Sequence, residues 1–392
     1  MKSLGLVKRA CFIVLAAAIG LGGLYDVYHL SAVSKTKKPS SEVKTARVLA
    51  NGDILLHNVL YASALQPDGS YNFDPYFTYV KERISSADLA LGDFEGTISP
   101  NYPLSGYPLF NAPESIAETL KKTGYDVMDL AHNHILDSGL SGALNTKKIF
   151  NQLGIDTLGV YDTDRSKESL LIKKVNGIKI AILAYSYGFN GMDANLTSED
   201  YSRHLSDLNL SKIKAELKAA EKKADVTIVM PQMGTEYRLT PTKEQEKLYR
   251  QMIDWGADVV LGGHPHVVEP AEILTKNGEK KLIIYSMGNF ISNQRQEIME
   301  DKWPERGVLM DLMFEKSGKR TILKMAKAHP TLVEATPKGS FAPEGYELYD
   351  YRVMVLEDFI KGGKYRQDIS PSLQEKVDIA YQEMKEHVGL QW

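Results

Sequence analysis

The stretch 257-ADVVLGGHPHVVEP-270 contains the pattern that decides the fold. An apolar run, Val259 to Leu261, ends at two glycines, and His264 and His266 follow with one proline between them. A short, continuous apolar run is typical of a strand that is buried on both faces of a sheet. The two histidines therefore stand where a buried strand ends, either by chance or as ligands of a metal ion.

The same unit recurs along the chain: a helix-like stretch ends, an Asp follows, an apolar strand runs and a polar loop closes it. The other copies are ADLALGDFEG (87–96), YDVMDLAHNH (125–134), ADVTIVMPQMG (224–234) and, more loosely, ARVLANGDILLH (46–57). Helical candidates lie between them, such as PESIAETLKKTG (113–124) and KEQEKLYRQMIDWG (243–256), the latter with Gly256 as its C-cap. Buried strands that alternate with helices predict a central, mostly parallel sheet covered on both faces.

Three hairpins interrupt this alternation. Two turns are predicted at Asn176-Gly177 and Asn277-Gly278, because Asn-Gly is the strongest short hairpin signal, and a third is predicted near Ser317-Gly318. An α/β core that also contains antiparallel hairpins predicts a two-sheet α/β sandwich with flanking helices. The tail after about residue 340 ends in a predicted amphipathic helix, SLQEKVDIAYQEMKEHV (372–388).

The composition is that of a folded globular protein. The chain has 392 residues, of which 43% are hydrophobic and 25% charged, enough for one large domain or two ordinary ones. A net charge of -3, without a recognition helix or an aromatic-basic surface, gives no reason to expect nucleic acid as a partner.

Residues 1–30 are predicted to be a membrane anchor or an export signal. Three basic side chains precede an uncharged stretch, Ala10–Tyr25: Lys2, Lys8 and Arg9. This order favours an uncleaved anchor over a cleaved signal, with the basic flank in the cytoplasm. We therefore expect a single-pass protein of the cell membrane with its folded domain extracellular; a secreted protein is the alternative. The only cysteine, Cys11, lies in this segment, which suits an exported protein without disulfides.

A polar, Ser/Lys-rich linker, residues 31–45, is predicted to connect the anchor to the folded domain. Beyond it, polar side chains collect at the predicted strand ends, where ligands bind in open α/β sheets. They are Asp53, His57, Asp93, Glu95, His132, Asn133, His134, Asp137, Gln232, Glu236, His264 and His266, and they include five of the nine histidines. Carboxylates, imidazoles and an Asn carbonyl suit a borderline divalent ion such as Mn²⁺, Zn²⁺ or Fe²⁺. Two such ions can clamp a phosphate, and an imidazole outside the metal shell can protonate a leaving group.

Taken singly, these residues also allow structural interpretations. Asp53 after Gly52 fits a turn, His57 fits a satisfied histidine beside a strand, and Asp93 fits a cap. The pair His264/His266 is harder to explain in this way, because two glycines and Pro265 allow the backbone to direct both rings to one place. Jointly, the pattern favours a metal site.

Several blocks resemble the bacterial CapA/PgsA family, which is associated with the synthesis of poly-γ-glutamate capsules. The blocks are NGDILLH, GDFEG, AHNHILDSG, MGTEY, GADVVLGGHPHVVEP and IIYSMGNFI. The resemblance covers about residues 46–335 and leaves 336–392 as a C-terminal extension. It implies a fold similar to the calcineurin-like metallophosphoesterases, a two-sheet sandwich with a dinuclear metal centre. The N-terminal anchor also fits PgsA-type members.

The resemblance assigns roles residue by residue. It implies one or two divalent ions bound by Asp53, Asp93, Asn133, His264 and His266. It also implies that His134 is the imidazole that acts as the general acid. Further candidates for the site are His57, Glu95, Gln232 and Glu236.

Two departures from the family pattern concern the metals. Phosphoesterases usually follow the first Asp with x-His, whereas Ile54 and Leu55 follow Asp53 here, and His57 is a candidate replacement. Gln232 stands where the CapA block usually has an imidazole for the second metal. An amide oxygen is a weaker and harder ligand, which predicts a second site that has low affinity, takes a hard ion or stays empty.

Three functions remain open at this level. The first is a surface-anchored component of anionic polymer synthesis or export, working with membrane-bound synthase or export subunits. The second is an extracellular metal-dependent phosphoesterase acting on phosphorylated envelope or nucleotide substrates. The third is a metal-free module that binds a polyanion. Metal content separates the third from the others, and turnover of a phosphoester separates the second from the first.

Overall fold

The computed structural model describes residues 43–390. The predicted anchor (1–30) and most of the predicted linker (31–45) lie outside these residues. Within residues 43–390, no helix is long and apolar enough to cross a membrane.

The strands of the described chain form two sheets. Their bounds are β1 (Val43–Ile54), β2 (Leu89–Phe94), β3 (Val127–Asp129), β4 (Asp156–Leu158), β5 (Leu171–Val175), β6 (Ile178–Ser186), β7 (Val226–Gln232), β8 (Val259–Leu261), β9 (Val268–Lys276), β10 (Glu279–Met287), β11 (Asn289–Ile291), β12 (Arg306–Ser317), β13 (Arg320–Phe341) and β14 (Glu347–Val355). The first sheet has the order β14-β13-β12-β1-β2-β3-β4, with β11 also pairing with β1, and the second has the order β5-β6-β7-β8-β10-β9.

Each sheet combines a parallel centre with antiparallel hairpins. Strands β1 to β4 are parallel neighbours, as are β6, β7, β8 and β10. The three predicted hairpins are present as β5–β6, β9–β10 and β12–β13. The predicted two-sheet α/β sandwich is therefore confirmed.

Helices cover the outer faces of the sandwich. Their bounds are α1 (Asn58–Ala64), α2 (Thr78–Ser85), α3 (Ser115–Thr123), α4 (Gly139–Gln152), α5 (Arg165–Glu168), α6 (Ser198–His204), α7 (Leu210–Lys223), α8 (Lys243–Trp255), α9 (Gln296–Met299) and α10 (Pro371–Val388). Helix α8 begins with a capping box of Thr242 and Gln245, and its C-cap is Gly256 with φ 124°, the C-cap that the sequence predicts. The predicted C-terminal amphipathic helix is α10.

The apolar core is layered. One cluster lies between the sheets and includes Val48 and Leu91 from the first sheet and Ile182 and Val259 from the second. A second cluster packs α1 to α4 on the outside of the first sheet, and a third packs α7 and α8 on the outside of the second. Burying each such Val, Leu or Ile side chain contributes about 1.5–3 kcal/mol to the stability of the fold. The strand ends that carry the polar residues therefore extend from a well-packed core.

The C-terminal part of the chain joins the same sheet as its beginning. Strand β13 runs across residue 335, and β14 pairs with its second half. Helix α10 packs on β13 and β9, so it contacts strands of both sheets. Residues after 335 are thus integral to the sandwich.

Candidate metal centre

A row of polar side chains crosses four neighbouring strands of the first sheet. Asp53 pairs in register with Asp93, Asp93 with Asp129, and Asp53 on its other side with Asn289. All four residues are at most 2% exposed. Because β1, β2, β3 and β11 are parallel, the row lies near their common carboxyl ends, where ligands are expected.

Asp53, Glu95 and His266 form a compact cluster beside this row. One ligand atom of each lies within 4.8 Å of the others. His266 Nδ1 is 3.0 Å from Asp53 Oδ2, 3.8 Å from Glu95 Oε2 and 3.1 Å from Asn289 Oδ1. Asp53 and Glu95 come from the first sheet and His266 from a loop of the second, so both sheets build the cluster.

The loop after β8 carries its two histidines in an unusual backbone conformation. His264 has φ 94° and His266 has φ 59°, both in the left-handed region. Such residues are strained by about 1–3 kcal/mol each, and they persist where the surrounding structure fixes them, often at functional sites. Their ring centroids lie 6.1 Å apart, so the conformation brings both rings to the same site.

A second set of polar atoms includes Asp93 and its neighbour Gln232. The Gln232 amide nitrogen donates a hydrogen bond to Asp93 Oδ2. Four buried ligand atoms have no hydrogen-bond partner among residues 43–390: Asp93 Oδ1, Asn133 Oδ1, Gln232 Oε1 and His264 Nδ1. The family resemblance implies Asp93, Asn133 and His264 as metal ligands, and Gln232 stands where it implies an imidazole for the second metal.

Burial dominates the electrostatics of the centre. It raises the pKa of Glu95 to about 7 against the opposing charge of His266, and it raises the pKa of Asp129 to about 8. Burial and the neighbouring Asp129 and Asp53 raise the pKa of Asp93 well above its usual range. For His266, burial lowers the pKa, but the charges of Glu95 and Asp53 outweigh it and raise the pKa to about 10.

These properties fit a bound cation. Both carboxylate oxygens of Glu95 and Oδ1 of Asp53 are buried without a hydrogen-bond partner in the described chain. Leaving such groups unpaired costs about 1–3 kcal/mol each or more, whereas a divalent ion would satisfy several at once. Asp53, Glu95 and His266 could therefore hold a metal ion, and the donor set of carboxylates and imidazole does not identify which.

His134 forms a separate dyad at the edge of the centre. Its Nδ1 is 2.8 Å from Asp137 Oδ2, and the same oxygen accepts the Phe110 N–H. Burial lowers the pKa of His134, but the hydrogen bond to Asp137 and the charge of Glu95 outweigh it and raise the pKa. With Nδ1 bound to Asp137, Nε2 is the nitrogen left to hold or deliver a proton.

The other candidates take peripheral places. His57 lies edge-on to Phe110, which also lies edge-on to His134, and burial lowers the pKa of His57 to about 4. Glu236 is exposed, yet its charge helps to raise the pKa of both Glu95 and His266. Neither residue is part of the Asp53, Glu95 and His266 cluster.

Sequence reasoning did not single out Asp129, Asn289 or Asn190 as site residues. Asp129 had a visible signal, because it ends β3 as Asp93 nearly ends β2. Asn289 lies in the block IIYSMGNFI, but its position beside Asp53 is apparent only from the pairing of β11 with β1. Asn190 follows β6 in a loop, and nothing in its local sequence indicates its contacts with Asn133 and His134.

The sequence profile of the family described as "Bacterial capsule synthesis protein PGA_cap" matches residues 47–294, which include every residue of the centre. The chain belongs to this family. It is 30% identical over 265 residues to the PGA biosynthesis protein CapA of Bacillus subtilis, covering 66% of each chain. It is 28% identical over 276 residues to the capsule biosynthesis protein CapA of Bacillus anthracis, covering 68% of this chain and 64% of that one. The match thus spans slightly less than two thirds of these relatives, and the resemblance read from the motifs is confirmed.

Solved structures of similar fold include phosphoesterases. The calcineurin-like phosphoesterase YfkN from Bacillus subtilis matches 74% of this chain and 91% of its own, with 14% identity and a TM-score of 0.42. A phosphatase from Mycoplasma pneumoniae matches 74% of this chain and 94% of its own, with 16% identity and a TM-score of 0.42. These likenesses concern the fold.

Proposed function

We propose that this protein takes part in the synthesis or export of poly-γ-glutamate, or a similar anionic capsule polymer, through a divalent metal centre. Two observations support the proposal: the family of residues 47–294, and the buried cluster of Asp53, Glu95 and His266 within that range. The family supports the role in capsule synthesis, and the cluster carries the proposal of a metal centre.

The proposed ligands fall into two groups. Asp53, Glu95 and His266 would hold the first ion. Asp93, Asn133, Gln232 and His264 offer the unpartnered atoms for a second. A bound ion of this kind polarises a phosphoryl or carbonyl oxygen and lowers the pKa of water.

The second candidate function is hydrolysis of a phosphoester outside the cell. The His134–Asp137 dyad favours it, because the Asp137 carboxylate fixes the ring and leaves Nε2 as the proton-carrying atom. His134 is largely buried but keeps 10% of its side chain exposed, whereas His132 is fully buried, so of these two imidazoles His134 is the one that a leaving group could reach. The same dyad would serve acyl or phosphoryl transfer during polymer synthesis, and turnover of a simple phosphoester separates the two.

A metal-free site for a polyanion is disfavoured by the charges. Asp53, Asp93, Glu95 and Asp129 are all buried in one place, and Glu236 adds a carboxylate nearby. Carboxyl groups carry no positive charge in either protonation state, so without a cation this lining offers a polyanion no electrostatic attraction. An anionic substrate therefore requires the metal.

Metal binding by the full chain and by the Glu95→Gln variant tests the proposal. The wild type should bind Mn²⁺ in isothermal titration calorimetry, and Glu95→Gln should bind it at least tenfold more weakly, because one anionic ligand is lost. Bis-p-nitrophenyl phosphate, offered to the loaded wild type, tests the second candidate function.

Glu269→Gln is the matched control for that test. Glu269 is also a fully buried carboxylate with one unpartnered oxygen, but it hydrogen-bonds Gln245 and lies outside the cluster. The Glu269→Gln variant should bind Mn²⁺ with the same affinity as the wild type. Equal Mn²⁺ affinity in Glu95→Gln and the wild type would contradict the proposed centre.

We further propose where the protein lies in the cell and which kind of subunit it works with. The basic and apolar pattern of residues 1–30 supports a single-pass membrane protein with an extracellular domain that works beside membrane-bound synthase or export subunits. Protease added to intact cells should then digest the folded domain and spare cytoplasmic proteins. Full protection of the domain would contradict this location.

A further inference from the structure

A loop from the second sheet reaches the residues that follow β3 in the first. Strand β6 ends at Ser186, and Phe189 anchors the following loop by packing its buried ring on Tyr201 at 5.8 Å. The next residue, Asn190, has φ 52°, a left-handed conformation that Asn tolerates better than most residues. This conformation turns the side chain of Asn190 toward Asn133 and His134.

Asn190 holds one side of the Asn133 amide. The amide nitrogen of Asn133 donates to Asn190 Oδ1 at 3.3 Å, whereas Asn133 Oδ1 is buried with no partner in the described chain. The Asn190 nitrogen lies 3.5 Å from His134 Nδ1, but that atom already bonds Asp137 at 2.8 Å. The Tyr187 hydroxyl also reaches Asn190 Oδ1, at 3.5 Å, so the Asn133 N–H at 3.3 Å is the nearer of the two donors to this oxygen.

We propose that Asn190 is a positioning residue that holds the amide of Asn133 with its oxygen directed into the metal centre. An amide can bind a cation only through its oxygen, and it can rotate to present its N–H groups instead. Among buried carboxylates, a free amide would turn its N–H groups toward the acids. The hydrogen bond to Asn190 Oδ1 engages the nitrogen on the other side and prevents this rotation.

The inference rests on the proposed metal centre and extends it to a residue outside the metal ligands. Partners of this kind typically change metal affinity by 10–100-fold when they are removed. A single neutral hydrogen bond belongs at the lower end of that range. We expect a loss of roughly tenfold for the ion that Asn133 binds.

A double-mutant cycle with Mn²⁺ tests the proposal in the full chain. Asn190→Gly removes the amide and suits the positive φ, so the loop should keep its fold. Asn190→Ala removes the amide in a second way, and both variants should bind the second ion roughly tenfold more weakly. In an Asn133→Asp background the same substitutions should have less than about a twofold effect, because the two oxygens of a carboxylate are equivalent.

A second asparagine in the same connection provides the control. Asn195→Ala removes an exposed amide from the same connection, whose contact is with Met192 O, and should leave Mn²⁺ affinity unchanged. A loss of equal size with Asn or Asp at position 133 would overturn the proposal. So would wild-type affinity for both ions in Asn190→Gly.

A measurement without metal separates this inference from the proposed function. The side-chain amide of Asn133 gives an NMR signal that Asn133→Asp identifies by its absence. In the metal-free protein, Asn190→Gly should shift this signal, and Asn195→Ala should not. An unchanged signal overturns the role of Asn190, whereas a shifted signal in a chain that binds no Mn²⁺ overturns the metal centre alone.

Discussion

Gly263 allows two side chains of the centre to approach each other. A Cβ atom at this position would lie 2.9 Å from Gln232 Nε2 and 3.2 Å from Asp93 Oδ2. Both distances are too short for an ordinary contact, so a side chain at 263 would push Gln232 and Asp93 apart. The glycine before the two histidines thus shapes the centre as well as the turn.

Gln232 is the residue at which the second ion should be weakest. We expect Gln232→His to tighten the binding of that ion by about tenfold, because imidazole is a better ligand for Mn²⁺ or Zn²⁺ than an amide oxygen. Hydrolysis of bis-p-nitrophenyl phosphate should rise with it, since two ions stabilise both the attacking and the leaving oxygen. Calorimetric titration and a hydrolysis assay measure the two effects.

Gln152→His is the control, because it adds an imidazole at an exposed position of α4 away from the centre. Two tightly bound ions and brisk turnover in the wild type would contradict the prediction. They would also favour the phosphoesterase over the biosynthetic function.

The residues of the centre could be predicted only where their own sequence carried the signal. Asp53, Asp93 and the two histidines stand at the ends of apolar runs, a pattern that is recognisable in the amino-acid sequence by itself. The closeness of Glu95 to His266 depends on how two sheets meet, and the role of Asn190 depends on one backbone angle. Local sequence does not encode either relation.

The positions of the strands and hairpins are easier to predict from the sequence than the pairing and length of the strands. Asn-Gly turns and continuous apolar runs carry their own signal, so β5–β6, β9–β10 and the central strands were found. The pairing of the short β11 with β1 was not, because three residues give no periodicity. Strand β13 continues through Pro330 and Pro337, which sequence rules confine to edges or bulges, and its length could not be anticipated.

A buried ionic cluster joins several of these elements away from the centre. His329 in β13 lies 2.5 Å from Glu357 and 3.5 Å from Asp311 of β12, which also binds Arg47 of β1. Burial lowers the pKa of His329, but the nearby Asp311 and the hydrogen-bonded Glu357 outweigh it and raise the pKa. Burial raises the pKa of each carboxyl, but His329, together with Arg47 at Asp311 and Lys327 at Glu357, outweighs it and lowers both to about 2.

The cluster should make stability depend on pH in a defined direction. Because the pKa of His329 is raised on folding, its contribution is complete below about pH 6.5 and is lost as the pH rises through the folded value. The two carboxylates contribute above about pH 4 and lose their effect toward pH 2. His329→Gln should therefore lower the free energy of unfolding by about 2 kcal/mol near pH 5, and by less at pH 9.

Urea denaturation of both proteins between pH 5 and pH 9 measures this difference. Titration of the metal centre affects both proteins alike and cancels, because the two sites share no residues. His387→Gln, which removes an imidazole that bonds the Val268 carbonyl, is the control from outside the cluster. A difference between wild type and His329→Gln that stays constant with pH would contradict the prediction.

At the scale of the whole molecule, the centre lies where the two sheets meet. Asp53 lies in β1 and Glu95 directly follows β2 of the first sheet, whereas His266 follows β8 of the second. An apolar layer lies between the sheets, but at this end acids of the first sheet meet His266 and Gln232 of the second. A cation bound there would link the sheets and remove the repulsion between carboxylates.

Metal binding should therefore stabilise the entire fold. An ion that binds only the folded chain adds about 2.7 kcal/mol when its free concentration is 100 times its Kd. For a domain of this size, that corresponds to a rise in Tm of roughly 5 °C. Differential scanning calorimetry with Mn²⁺, and again after its removal with EDTA, measures the shift. Glu95→Gln should show a much smaller rise, and because it removes one buried charge, its metal-free Tm should not fall below that of the wild type. A metal-dependent rise of equal size in both proteins would place the stabilising ion elsewhere on the molecule, and Glu95 would then no longer be a ligand.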